Sequence, residues 1–178
     1  MSAAMPRVTA VLWPAPAALA LLGGCASPGQ PARPRHAGRL ALRTEGEDSR
    51  SFTSAFELYG SAREGRLMLN SPLGTTAAQA SWSPRGASLQ QGASQQDYPD
   101  LDRLSQDLLG ETLPLAALFD WLDGRPWDGA AARATADGFT QLGWRIDTRG
   151  LNDGLLDMRR AEPGPPLSLR VRLERDPS

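Results

Sequence analysis

No lysine occurs in the 178 residues; all 19 basic positions are arginine. That absence removes a P-loop phosphate lysine, a pyridoxal Schiff base and a lysine general base. Histidine and cysteine occur once each, as His36 and Cys25. Zinc clusters, Cys–His dyads and Ser–His–Asp triads therefore lack parts unless His36 itself serves. No cofactor and no metal is called for. A net charge of −1 with no basic stripe gives no footprint for nucleic acid. With 40% hydrophobic and 22% charged residues, the composition suits one globular domain.

What the chain does have begins with an apolar, Ala-rich run from Val8 to Leu22 behind Arg7. It is interrupted by Pro14 and Pro16 and falls short of the roughly 20 residues a spanning helix needs. Residues 1–24 read as a secretory signal, with Met5 an alternative start. The ending Leu22-Gly23-Gly24-Cys25 resembles a bacterial lipobox, in which the cysteine becomes the lipidated first residue of the mature chain. Ala26, not aspartate, follows Cys25, which resembles the Gram-negative pattern sent on to the outer membrane. The expected location is therefore the outer membrane, lipid-anchored and facing the periplasm. Residues 25–37 hold three prolines and no apolar periodicity, so they read as the lipidated cysteine with a tether, and His36 as a solvated linker residue. The domain proper is expected over 38–178.

From Gly38 onward the pattern is short runs of period two. Strands are expected at Arg39–Arg43, Ser51–Tyr59, Arg66–Asn70, Thr76–Trp82 and Ala87–Gln90, joined as antiparallel hairpins. Leu101, Leu104 and Leu108 recur at helical spacing before Gly110, and a second helix follows Pro114 with Leu115, Leu118, Phe119 and Leu122 on one stripe. Strands return at Gly138–Ile146, Leu155–Arg159 and Leu167–Leu173. Five strands, two helices and three strands predict a mainly β (α+β) domain: an incomplete antiparallel barrel whose open side is covered by a lid of two helices.

Three segments then carry a resemblance: Arg66-Leu67-Met68-Leu69-Asn70-Ser71-Pro72-Leu73-Gly74-Thr75, the run from Leu113 to Gly124, and Phe139-Thr140-Gln141-Leu142-Gly143-Trp144. In order and spacing, behind a lipobox, they resemble the LolB family of outer-membrane lipoprotein receptors over roughly Gly38 to Arg160. Two features depart from that family: no amphipathic helix precedes the first strand, and the C-terminal portion is short. The resemblance implies an incomplete barrel that holds acyl chains. It also implies a receptor that accepts lipidated client lipoproteins from a soluble, LolA-like periplasmic carrier and delivers them to the inner leaflet of the outer membrane. A monomer is expected.

Two sets of residues follow. An apolar cavity is expected to be lined by Leu40, Leu42, Phe52, Phe56, Leu58, Leu67, Leu69 and Trp82 of the sheet, under Leu104, Leu118, Trp121 and Leu122 of the helices. Period-two alternation alone fits a dry core equally well. The turn Pro72-Leu73-Gly74 places a leucine where turns normally carry polar side chains, and the resemblance assigns that position to membrane insertion. Asp97, Asp100, Asp102, Asp107, Asp120 and Asp123 read as solvated helix faces, with paired-carboxylate hydrolysis as an alternative. Arg159, Arg160, Arg170 and Arg172 suit either an acidic or anionic partner or plain solvent exposure. A lipoprotein that only docks envelope partners remains the other non-catalytic reading.

Overall fold

The computed structural model describes residues 33–45, 49–162 and 166–174. Cys25 and the leader before it lie outside the described residues. Six strands come first: β1 His36–Thr44, β2 Ser51–Gly60, β3 Gly65–Asn70, β4 Thr76–Ser83, β5 Gly86–Gln91 and β6 Ser94–Tyr98. Helices α1 Leu101–Leu109 and α2 Leu115–Leu122 follow, then β7 Ala132–Thr135, β8 Gly138–Gln141, β9 Trp144–Asp147, β10 Leu155–Arg160 and β11 Leu167–Leu173. They form one antiparallel sheet in the order β6-β5-β4-β3-β2-β1-β11-β10-β9-β8-β7. Each hairpin pairs with its neighbour in sequence except at one seam, where the last strand joins the first, Leu40 opposite Val171 and Leu42 opposite Leu169. β6 and β7 are left as unpaired edges, so the barrel is incomplete, and the two helices are the segment that connects those edges.

Alternation decides which face is inner. In β2 Ser54, Phe56 and Leu58 are buried while Ser51 and Thr53 are exposed; in β11 Leu167, Leu169 and Val171 are buried while Arg170 and Arg172 are exposed. The inner face meets Leu104, Leu113, Leu115, Ala117, Phe119, Trp121 and Leu122 in a single apolar core. Close approach is purchased at Gly65, where any Cβ would lie 2.6 Å from the Trp82 ring and from the Tyr59 carbonyl oxygen.

The helices start and stop as their sequence directs. The Asp100 carboxylate accepts the Arg103 amide at 2.8 Å, capping α1, and Gly110 at φ 75° ends it in the left-handed conformation. Pro114 sits just ahead of α2, one residue earlier than the expected first-turn position. Between them the buried Ser105 hydroxyl accepts the Leu113 amide at 3.0 Å and donates to the Asp102 carbonyl at 3.0 Å, so the connection is satisfied inside the core.

Three expectations need correction. Among the described residues eleven strands stand where eight were expected; two of the three extra, β6 (SQQDY) and β7 (ARAT), are polar edge strands with no apolar alternation to reveal them. The segment Gly138–Ile146 is not one strand; it breaks into β8 and β9 at Leu142 and Gly143, both at positive φ. His36 is not linker: it opens β1 opposite Leu58, and its side chain is only 10% exposed.

Candidate functional site

Between the inner face and the helices lies a hollow lined only by apolar side chains. Leu40, Leu42, Phe56, Leu58, Leu67, Leu69 and Trp82 line it from the sheet, and Leu118 and Leu122 from α2, as expected from the sequence. Leu109, Leu113 and Leu115 of the helical segment and Leu169 and Val171 of β11 line it too and were missed. The β11 pair was legible in the Leu169/Val171 alternation and Leu115 in the stripe of the second helix; Leu109 and Leu113 give no such signal. Three expected lining residues are elsewhere. Leu104 and Trp121 are fully buried but do not reach the hollow. Phe52 shares the inner face with its partner Leu42 yet sits beyond the hollow's end, 38% exposed.

The cavity volume is about 30 Å3. With no polar partner in the lining, such a space stays dry. The sheet and lid side chains leave little space between them.

Two polar clasps hold the lid. At one end Arg160 donates to Glu111 at 3.1 Å and to the Thr112 carbonyl at 3.3 Å, its guanidinium 5.6 Å from the Trp144 ring centre. At the other, Asp123 behind α2 accepts from Arg35 at 2.7 Å and Arg125 at 2.9 Å. His36 Nε2 lies 3.3 Å from Asp123 Oδ1 but makes no hydrogen bond there. Burial holds the His36 imidazole below its usual range, against the raising effect of Asp123. Burial opposes ionisation of Asp123, but hydrogen bonds from Arg35 and Arg125 outweigh it and hold the carboxyl below the usual range. α2 also packs Phe119 edge-on against Trp82, ring centres 5.9 Å apart, and Trp121 against Trp144 at 6.1 Å.

One end of the sheet carries the β1–β2, β3–β4, β5–β6 and β8–β9 turns, together with the approach from β10 to β11. Leu73 protrudes there, 92% exposed. Its turn is rigidly built: Gly74 donates to the Ser71 carbonyl at 2.9 Å, Ser71 to that of Thr75 at 2.8 Å, and Gly74 takes φ 79°. Pro72 and Gly74 are exposed beside it.

The acidic residues have other partners. Asp100 caps α1, Asp107 accepts the Tyr98 hydroxyl, and Asp120 and Asp123 bind Arg125. Among the described residues no three His, Cys, Asp or Glu side chains converge as metal ligands.

A family model described as outer membrane lipoprotein LolB matches residues 35–176. The chain belongs to the LolB family. An outer-membrane lipoprotein LolB of Cupriavidus necator is 33% identical over 133 residues, 67% of this chain and 68% of that protein. One from Bordetella petrii is 33% identical over 180 aligned positions, 89% of each chain. One from Halorhodospira halophila is 34% identical over 125 residues, 66% of this chain and 60% of that protein. As a LolB-family member the chain is an outer-membrane lipoprotein, and none of its described helices is long and apolar enough to cross a membrane.

Proposed function

We propose that this chain is a receptor in lipoprotein sorting. As a monomer it accepts a lipidated client from a soluble periplasmic carrier, lodges the acyl chains between the inner sheet face and the two helices, and releases them into the inner leaflet of the outer membrane. Cys25 carries its own lipid, and Leu73 enters the bilayer. The observation that carries this reading is an interior hollow lined only by apolar side chains beneath a pair of helices, on a domain whose most exposed leucine stands at one rim.

Energetics supports a moderate grip. An acyl chain of about fourteen carbons gains on the order of 11 kcal/mol by leaving water, at 0.8 per methylene. Opening the lid first exposes leucines such as Leu58, Leu69 and Leu118, which offsets part of that gain. The client is then held less tightly than in the bilayer, and transfer runs downhill without a nucleotide.

Leu73→Glu is the test of delivery. It leaves thermal unfolding and client acceptance unchanged while transfer of a lipidated client to liposomes falls by an order of magnitude or more, since burying one leucine side chain is worth about 1.5–3 kcal/mol. Undiminished transfer removes Leu73 from the mechanism. The small free volume favours a second reading, a docking lipoprotein whose interior stays packed. A fluorescent fatty acid separates them: the receptor takes it up with a rise in helix hydrogen exchange, and the docking module does not bind it.

A further inference from the structure

The β8–β9 turn contains a residue that neither turn chemistry nor packing asks for. Leu142 is the only non-glycine with positive φ among the described residues, at 52°, followed by Gly143 at 78°. A two-residue turn with both centres at positive φ favours Asn, Asp or Gly, and an L-leucine is strained there. Burial does not offset the strain, because the side chain is 44% exposed. Strain held at an exposed apolar residue is a mark of function.

Its position gives that function a direction. Register runs from Gln141 and Trp144 through Arg160 and Leu167 to Thr44, so the Leu142 turn lies at the same end of the sheet as the β1–β2 and β3–β4 turns. The three exposed large apolar residues of the described chain, Phe52, Leu73 and Leu142, all lie at that end. The outer face directly behind the turn carries a row of arginines, with Asp137, Asp147 and Asp157 beside it. One cross-strand row reads Arg133, Thr140, Arg145, Arg159, Ser168, Arg43. All four arginines are exposed, and Arg145 and Arg159 stand directly opposite each other, like charges that repel across the strands. Asp137 pairs Arg145 at 2.9 Å and Asp157 lies 3.7 Å from Arg159, while Arg43 and Arg133 have no carboxylate in reach among the described residues.

We propose that the Leu142 turn and this arginine row form a second membrane contact, distinct from the Leu73 loop, that docks on anionic phospholipid. Leu142 enters the acyl boundary while the guanidinium groups bind headgroup phosphates. The two leucine turns are six strand spacings apart, about 29 Å along the sheet at 4.8 Å per strand. One anchored loop lets the domain swivel; two fix which rim faces the lipid. The inference extends the reading in which the Leu73 end meets the bilayer, and its test does not depend on client transfer.

Leu142→Cys, Leu73→Cys and Arg85→Cys chains, the last at the opposite end in the β4–β5 turn, are labelled with an apolar, solvent-sensitive fluorophore and anchored by their own lipid. The vesicles are phosphatidylethanolamine with phosphatidylglycerol, and doxyl groups in the acyl region act as quencher. The label at 142 is quenched severalfold more than that at 85. The excess falls away in phosphatidylcholine vesicles, at high salt, or when Arg133, Arg145 and Arg159 are changed to Gln. Equal quenching at 142 and 85 overturns the proposal. Quenching at 142 that is indifferent to phosphatidylglycerol, salt and arginine overturns its anionic arm. Quenching at 73 alone leaves the delivery loop standing and removes this contact; quenching at 142 alone does the reverse.

Discussion

Gln141 shows what a single buried polar side chain can organise. It is 2% exposed, and its amide makes four hydrogen bonds. The oxygen accepts the Trp121 indole N–H at 2.7 Å and the Trp127 amide at 2.9 Å; the nitrogen donates to the carbonyls of Trp127 at 2.6 Å and Ala130 at 2.7 Å. One residue of β8 thus ties α2 and the loop after it to the sheet. Gln141→Leu leaves the buried Trp121 indole N–H and three part-buried backbone groups without their partner, and we expect a loss of roughly 3 kcal/mol of stability in urea unfolding, with the midpoint shifting and the slope unchanged. In the sequence Gln141 lay inside a quoted motif but read only as part of a strand. Its burial depends on Trp121 and Trp127, which approach it only in three dimensions. Leu73 is the opposite case: Pro, Leu and Gly in a row already placed an apolar side chain on a turn tip.

At the scale of elements, α2 is fastened to the start of β1 by the Arg35–Asp123 ion pair with His36 buried beside it, and this contact is sensitive to pH. The His36 pKa is depressed from 6.5, so the unfolded chain takes up a proton before the folded one does. Its contribution is present above pH 6.5 and declines as pH falls through that value towards the folded pKa. The depressed Asp123 carboxyl adds a further loss only below its ordinary 3.8. Chemical denaturation across this range should show stability falling from neutral pH downwards. His36→Gln should flatten the curve between those two values and leave the acid limb in place; an unchanged slope would show that another group is titrating. Helix ends were legible where their signals are local, as at Gly110, which terminates α1, while Asp100, read as part of a solvated helix face, caps it. β6 and β7 were not, since edge strands made of polar residues owe their conformation to the strand beside them.

The whole molecule depends on one seam. β1 to β6 and β7 to β10 are two runs of local hairpins, and only β11, pairing with both β10 and β1, makes them one sheet. A chain cut after Glu162 loses Leu167, Leu169 and Val171 from the core and exposes two inner strand edges. It should show no cooperative thermal transition, whereas a folded truncate would mean that the first six strands are stable alone.

Taken alone, the sequence determined which face of each amphipathic strand and helix turns inward, where the helices cap, and the family to which the segments from Arg66 to Trp144 point. Those properties are written in spacing over a few residues, because period two and period 3.6 fix side-chain direction locally. Tertiary structure decided the rest: the joining of the last strand to the first, the near-closure of the hollow to about 30 Å3, and the alignment of Leu73, Phe52 and Leu142 on one rim. Each is a sum over residues far apart in the chain, set by register and by how closely opposing leucines meet.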